Sequence, residues 1–328
     1  MKAFNRRGAL GLLAGGAALS ALPMVSGAAQ AQSGEPITIV VPYGGGGSTD
    51  GVVRMFAEFM SQDLGRPVLV ENKPGGNGIV GAQYVARARP DGLTLLAGGT
   101  GPISLNVLLR SDLPYSLEDF DSVGMLFDGP LSLTINSQVP AENVEEFVAW
   151  AKEQDRPMRY GTLGPGSVTH LFGLILGKEF DIPVVDVAYR NNPASIVDLL
   201  GMQAELSFAT PIAVLEHIRA GQLRMLALTT DERLPQFADI PTLKELGHPK
   251  LTASFWTALH APKGTPPELI ETVNASINKA LADETIRERL EAEGLRGREG
   301  GPDVLDQQLT DDAALWGEIV SSENLSLQ

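Results

Sequence analysis

The chain has 328 residues, enough for two ordinary domains, and its 25 basic and 40 acidic residues give a formal charge of −15. This acidity argues against nucleic acid or an anionic membrane as a partner, because both require clustered lysine and arginine. The sequence has no cysteine, which excludes disulfides, thiolate metal sites and a thiol nucleophile. The four histidines are scattered without metal-ligand spacing. We therefore predict no metal and no cofactor.

The first 31 residues predict a cleaved export signal. Lys2, Arg6 and Arg7 form a basic start, an uncharged apolar stretch follows, and small residues lead to a cleavage site near Ala31. The stretch "NRRGAL" favours a twin-arginine signal, with the general secretory route as the alternative. A membrane anchor would need about 20 apolar residues, and glycine and serine dilute this run. We predict a chain that is free in the periplasm.

From Pro36 the pattern alternates between strands and helices. "ITIVVPY" is a β-branched run typical of a strand buried on both faces. The residues after the following glycines place their apolar side chains on one helical stripe that ends at Gly65. "RPVLVENKPG" predicts a second strand, "GIVGAQYVARARPDG" a helix, and "LTLLAGG" a third strand. This order predicts an α/β fold with a mainly parallel sheet.

The same alternation recurs from "MRYGTLG" onward, with two extended apolar segments, "MLFDGPLSLTINSQVP" and "SFWTALHAPKGTPPEL", on either side of it. The chain is therefore predicted to leave one lobe, build a second and return. Residues 32–131 and 254–328 would form lobe 1, on which the C-terminal helices pack, and residues 132–253 lobe 2. Two mainly parallel sheets joined by two crossing segments would enclose a cleft, where small ligands preferentially bind.

Four consecutive glycines, Gly44–Gly47, follow the first predicted strand and precede a helix. This arrangement can hold an anion on backbone N–H groups at the helix N-terminus. The loop has no Gly-Lys-Ser/Thr ending and fits G-x-G-x-x-G poorly, which argues against nucleotide binding. Ser48 and Thr49 are interpreted as helix caps, either in that role alone or with a ligand contact in addition. Asp50 is interpreted as a cap or a loop-fixing acceptor.

A second loop of this kind occurs in "YGTLGPGSVTHLFG", with Ser167 at the start of a helix and His170 one turn later. The two could be a nucleophile and a base, but residues three apart on one helix rarely have triad geometry, and no third orienting group is evident. We expect His170 to contact a ligand or to be structural. In "VAYRNNPAS", Asn191 and Asn192 form either a turn with a cap or a pair of ligand-contacting amides.

Together these segments resemble the periplasmic solute receptors of tripartite tricarboxylate transporters, also called the Bug family. The resemblance rests on "VPYGGGGSTDGVVR", "GRPVLVENKPGGNGIVGAQYVARARPDGLTLL", "LPYSLEDFDSVGML", "MRYGTLGPGSVTHL", "LRMLALTTDERLPQFADIPTLKELG" and "WTALHAPKGTPPELI". They occur in the family's order and cover nearly all of the chain after the signal. The resemblance implies a type II periplasmic binding protein of the Venus-flytrap kind, with two α/β lobes that close on a small organic carboxylate.

The resemblance also implies that the first glycine loop and two loops of lobe 2 hold the carboxylate through main-chain N–H groups, hydroxyls and bridging waters. The predicted ligand-binding residues are Tyr43, Gly46, Gly47, Ser48, Thr49, Asp50, Thr100, Gly164, Gly166, Ser167, His170, Tyr189, Asn191, Asn192 and Thr210. Asn191 stands where the family commonly has glycine, which leaves the choice of carboxylate open. Phe208, Phe255 and Trp256 could form an apolar wall, but core or hinge packing is favoured.

The sequence therefore predicts a monomeric periplasmic receptor, without enzymatic activity, that binds a di- or tricarboxylate or an aromatic acid. It would deliver this ligand to the membrane subunits of a tripartite tricarboxylate-type transporter. One alternative is a ligand-sensing receptor for a periplasmic signalling partner. The other is an exported serine hydrolase that uses Ser167 and His170.

Overall fold

The structure is a computed structural model that describes residues 34–322, so the predicted export signal lies outside the described residues. The strands are β1 (Ile37–Val41), β2 (Val68–Asn72), β3 (Thr94–Gly99), β4 (Phe120–Gly129), β5 (Ser132–Asn136), β6 (Met158–Thr162), β7 (Val184–Ala188), β8 (Leu206–Ala209), β9 (Leu223–Leu228), β10 (Phe255–Pro262) and β11 (Arg296–Gly297). The α-helices are α1 (Ser48–Asp63), α2 (Ile79–Ala86), α3 (Asn106–Leu109), α4 (Val144–Lys152), α5 (Val168–Phe180), α6 (Asn192–Leu200), α7 (Pro211–Arg219), α8 (Pro267–Ala282), α9 (Glu284–Ala292) and α10 (Pro302–Ser322). A π-helical turn, Thr100–Leu105, leads into α3. Within residues 34–322, no helix is both long enough and apolar enough to cross a bilayer.

The first sheet has the strand order β11-β4-β10-β3-β1-β2. Strand β1 lies parallel to β2 and β3, and β10 lies antiparallel to β3 and β4. As the β-branched run predicts, β1 is buried on both faces: Ile39 packs in a cluster with Phe56 of α1, and Val40 in a different cluster with Val85 of α2. The sheet therefore has helices on both sides.

The second sheet has the order β7-β6-β8-β5-β9, with β6 parallel to β7 and β8 and β5 antiparallel to β8 and β9. The predicted α/β class is confirmed, but both sheets are mixed. Only β1 and β6 have parallel neighbours on both sides, because the strands next to the crossing segments run antiparallel to their neighbours. The chain passes between the sheets after Gly129 and returns before Phe255. The predicted lobe boundaries fall within these passages and stay a prediction.

The C-terminal helix α10 reaches beyond the first sheet. Leu305 packs beside β1 and α2, as predicted, but Trp316 and Ile319 are buried in the cluster that covers the second sheet. There the Trp316 ring lies edge-on to the Phe172 ring of α5, with 6.1 Å between the ring centres. The stretch predicted to pack back on the first lobe forms α8 and α9, whose Val273, Ile277 and Leu290 are buried in the cluster of β1 and α1, in agreement with that prediction. The following helix, α10, contributes to both cores.

This arrangement predicts that Trp316→Ala destabilises the protein strongly. Trp316 is 1 % exposed, and removing a buried tryptophan side chain typically lowers the free energy of unfolding by about 3–5 kcal/mol. Leu315→Ala is the matched control, because the preceding side chain is 41 % exposed and its loss should cost about 0.5 kcal/mol or less. Urea unfolding of the chain without residues 1–31 measures both. Equal effects would show that α10 does not contribute to the second core.

Candidate ligand-binding site

A cavity of about 70 Å³, called the inner cavity below, lies where strands of both sheets end. It is lined by Tyr43, Ser48, Thr49, Ala97, Gly99, Thr100, Gly101, Leu131, Leu163, Val168, Thr169, Asn192, Thr210, Phe255, Trp256 and Thr257. The structure thus brings six of the predicted residues together around one space. These six are Tyr43, Ser48, Thr49, Thr100, Asn192 and Thr210.

Four helices begin at the inner cavity. Ser48 and Thr49 are the first residues of α1, Val168 and Thr169 of α5, Asn192 is the first of α6, and Thr210 caps α7. The first N–H groups of a helix have no partner within it, and the helix dipole makes this end favourable for an anion. None of the lining residues, all of which lie in the described part of the chain, is charged. The cavity can therefore hold an anion on backbone dipoles and hydroxyl groups.

Thr210 supplies a second indication of a ligand. Its side chain is 2 % exposed, and its Oγ1 atom has no hydrogen-bond partner within residues 34–322. Although Thr210 is the N-cap residue of α7, its side chain makes no capping bond. A buried hydroxyl without a partner costs about 1–3 kcal/mol, so a polar ligand atom beside it would remove this penalty.

The run Gly44–Gly47 is explained partly by contact between this loop of the first sheet and a loop of the second sheet. Gly44 N donates to Arg190 O at 3.3 Å, and a Cβ atom on Gly44 would lie 3.1 Å from that oxygen. Gly46 has a φ of 86°, in the left-handed region that disfavours other residues. None of the four glycines lines the inner cavity. Ligand contact by Gly46 and Gly47 stays a prediction.

Asp50 fixes this loop. Its carboxylate accepts hydrogen bonds from Gly46 N at 3.0 Å, Asn72 Nδ2 at 2.9 Å and Arg54 Nε at 3.1 Å. Burial alone would raise the pKa of Asp50, but the bonds from Arg54, Gly46 and Asn72 together hold the pKa below its ordinary value. The interpretation of Asp50 as a loop-fixing acceptor agrees with this geometry, and direct ligand contact stays a prediction.

Ser167 and His170 are arranged as a helix cap. Ser167 Oγ accepts from His170 N at 3.2 Å, and the ring atom Nδ1 of His170 accepts from Gly166 N at 3.3 Å. Burial lowers the pKa of His170, so its imidazole is neutral at pH 7. Because Nδ1 is bonded to the loop backbone and the hydroxyl to the helix, this geometry gives no support to a nucleophile–base pair.

A larger cavity of about 350 Å³, called the outer cavity, adjoins the inner one. Tyr43 and Leu163 line both, while Gly164 and Tyr189 line only the outer cavity. The Tyr189 hydroxyl donates to Asp198 Oδ2 at 2.7 Å. The predicted residues that line neither cavity are Gly46, Gly47, Asp50, Gly166, Ser167, His170 and Asn191.

Two aromatic residues of the inner cavity were not among the predicted ligand-binding residues. Phe255 and Trp256, which were assigned to packing, line the inner cavity, whereas Phe208 stacks on Phe172 in the second core as expected. Trp256 is fixed from two sides, because its backbone N donates to Thr100 Oγ1 at 3.0 Å and its indole Nε1 to Asp312 Oδ2 at 2.8 Å. Phe255 and Trp256 stand at the start of a crossing segment, and this position was the sequence feature that could have indicated their place at the cavity.

Comparison with known proteins identifies one family. The model of the tripartite tricarboxylate transporter family receptor matches residues 52–325. Protein BugT of Bordetella pertussis is 33 % identical over 295 residues, which cover 89 % of this chain and 90 % of BugT. Among solved structures, MatC from Rhodopseudomonas palustris with bound malate is 29 % identical, with a TM-score of 0.82 over 87 % of this chain and 98 % of MatC. Rpa4515 from R. palustris with adipate is 26 % identical, with a TM-score of 0.84 over 89 % of this chain and 98 % of that one.

These similarities confirm the predicted two-lobed periplasmic binding protein fold. They also confirm the resemblance found in the sequence.

The network around Asp50 predicts a pH-dependent effect of Asp50→Asn. At pH 7 the substitution should lower the free energy of unfolding by about 2 kcal/mol, because hydrogen bonds to the charged carboxylate are lost. A depressed folded-state pKa stabilises the fold above the ordinary value of 3.8 and ceases to do so as the pH falls through the folded value. The difference from the unsubstituted protein should therefore shrink as the pH falls below 3.8.

Thermal melts at pH 7, 5 and 3 check this prediction, with Asp112→Asn at an exposed position as the control. A difference that persists unchanged at pH 3 would contradict the proposed role of the Asp50 charge.

Proposed function

We propose, from the premise that the chain belongs to the tripartite tricarboxylate transporter receptor family, that its inner cavity binds a small organic carboxylate. The family consists of periplasmic solute-binding receptors. The observation that carries the proposal is the convergence of four helix N-termini on a cavity whose lining is uncharged. Malate in MatC and adipate in Rpa4515 support a carboxylate as the ligand class.

The energetics of such a site are adequate for uptake from dilute solution. A hydrogen bond to a charged group contributes about 1.5–3 kcal/mol. Four of these at the upper value, less about 4 kcal/mol for immobilising the ligand, give about −8 kcal/mol, which corresponds to micromolar affinity. The site would consequently bind the acid without a cationic side chain in contact with it.

Binding would be coupled to closure of the cleft. Direct hydrogen bonds already join loops of the two sheets, with Asn191 Nδ2 donating to Gly45 O at 3.2 Å and Arg110 Nη2 to Pro165 O at 3.3 Å. A ligand that contacts both lobes only in the closed form stabilises that form. In this proposal lobe 1 comprises residues 32–131 and 254–328, and lobe 2 comprises residues 132–253.

The closed receptor would then deliver the acid to the membrane subunits of a tripartite tricarboxylate-type transporter. In this proposal the chain is exported by its N-terminal signal, cleaved near Ala31, and acts as a periplasmic monomer. Uptake of a labelled acid by cells with and without this gene tests delivery. Undiminished uptake of a high-affinity ligand in the deletion strain would favour the sensing alternative.

A thermal-shift screen tests the ligand class. For the chain without residues 1–31, at least one organic acid present at 100 times its Kd should raise the melting temperature by roughly 5 °C, because binding to the folded state alone contributes about 2.7 kcal/mol. Neutral sugars at the same concentration are the control and should cause no shift. A shift with a sugar and none with any acid would contradict the proposal.

The contact between Asn191 and Gly45 predicts a separate effect on affinity. Asn191 also caps α6, because its Oδ1 accepts from Ala194 N at 3.0 Å. Asn191→Ala should therefore lower stability by about 1 kcal/mol and, by removing a bond made only in the closed form, weaken ligand binding about fivefold.

Asn143→Ala is the matched control for this substitution. Asn143 caps α4 in the same way, accepting from Glu146 N at 2.8 Å, and lines neither cavity. It should lose similar stability and retain full affinity in isothermal titration calorimetry. Equal affinities of the two variants would show that the Asn191 contact does not contribute to closure.

A further inference from the structure

The size of the inner cavity restricts its ligand. Its volume of about 70 Å³ is roughly half that of a 150 Å³ engineered cavity that accommodates benzene in a protein interior. An acid with a phenyl ring would have to hold the cleft partly open, whereas a two- or three-carbon acid would allow closure. The ligand that suits this space is therefore compact.

The electrostatics of the walls restrict the ligand to one negative charge. Two buried acids stand directly behind lining residues: Glu293 Oε2 accepts from Ser48 Oγ at 2.6 Å, and Asp312 Oδ2 accepts from the Trp256 indole at 2.8 Å. Arg289 pairs with Glu293 at 2.8 Å, which offsets the charge of this acid. Because the Ser48 hydroxyl and the Trp256 indole already donate to the two acids, neither group is free to donate to an additional carboxylate. The helix N-termini can hold one anionic group, but the lining, which is described throughout, offers no cation for another.

The nearby cations do not line the inner cavity. Arg54 pairs with Asp50, Arg110 donates to Pro165 O, and Arg190 lines the outer cavity only. A second carboxylate placed against Leu131, Phe255 or Trp256 would thus lose its water without gaining a charged partner.

Thr210 presents a buried hydroxyl without a partner next to apolar residues of the lining. It lies beside Leu131, because Ser132 and Ala209 are paired in the register of β5 and β8, and Phe255 and Trp256 line the same cavity. Two other hydroxyls of the lining are already used. Ser48 Oγ donates to Glu293, and Thr169 Oγ1 accepts from Leu163 N at 3.2 Å.

We infer that the ligand is a short acid with one carboxylate and one neutral hydroxyl or carbonyl oxygen, and that Thr210 hydrogen-bonds this oxygen. The inference rests on the proposed function, since the carboxylate is taken to occupy the helix N-termini. It separates this chain from MatC and Rpa4515, whose bound acids, malate and adipate, each carry two carboxylates. Thr210 is then a specificity-determining residue.

Four acids that differ at one position test this inference. Isothermal titration calorimetry of the chain without residues 1–31 compares 2-hydroxypropanoate with propanoate, which lacks the hydroxyl. It also compares 2-hydroxypropanoate with 2-hydroxypropanedioate, in which a carboxylate replaces the methyl group, and with 2-hydroxy-2-phenylacetate, in which a phenyl ring does. We expect 2-hydroxypropanoate to bind at least tenfold more tightly than each of the others.

Two variants of Thr210 isolate its contribution. Thr210→Val keeps the shape of the side chain and should abolish the tenfold difference between 2-hydroxypropanoate and propanoate while leaving propanoate affinity unchanged. Thr210→Ser keeps the hydroxyl and should retain the difference. Melting curves without ligand establish that both variants are folded. If Thr210→Val weakens both acids equally, Thr210 bonds the carboxylate and the assignment of the neutral oxygen is overturned.

The outcomes also distinguish this inference from the proposed function. If the dicarboxylate or the phenyl acid binds as tightly as 2-hydroxypropanoate, the restriction on charge or size is wrong and the carboxylate receptor stands. If none of the four binds while another acid in the thermal-shift screen does, the inference is overturned and the proposed function stands. If no acid binds in either experiment, the proposed function fails as well.

Discussion

An anion in a cavity without a charged wall must be neutralised by backbone dipoles, and the architecture around the inner cavity is suited to this requirement. Removing a carboxylate from water is costly unless hydrogen bonds replace its hydration. Four helices begin at the cavity because the strands of both sheets end there, and α/β connections bring helix N-termini to that edge. The sheets supply rigid supports, and the loops between strand and helix supply the donors.

The run of glycines is explained by proximity of two backbones. Gly44 meets Arg190 O, and Gly45 O accepts from Asn191, so the loop of the first sheet lies against a loop of the second. Asp50 holds the same loop from behind through Gly46 N. The glycines therefore adapt the loop to its neighbours, while the adjoining Tyr43, Ser48 and Thr49 line the cavity.

Features that depend on neighbouring residues in sequence could be predicted, and features that depend on distant ones could not. The alternation of strands and helices and the start of α5 after Ser167 follow from local periodicity and capping. The contact between Gly44 and Arg190 joins two loops that no local pattern relates. Membership of the cavity was predicted only in part, since Thr169 lines it and His170 does not. Consecutive positions in a first helical turn face different directions, and tertiary packing decides which one faces the cavity.

The path of α10 has a consequence for biosynthesis. Trp316 and Ile319 belong to the core over the second sheet, yet they follow every strand of that sheet in the chain. During translation, this core lacks two of its buried side chains until α10 has left the ribosome.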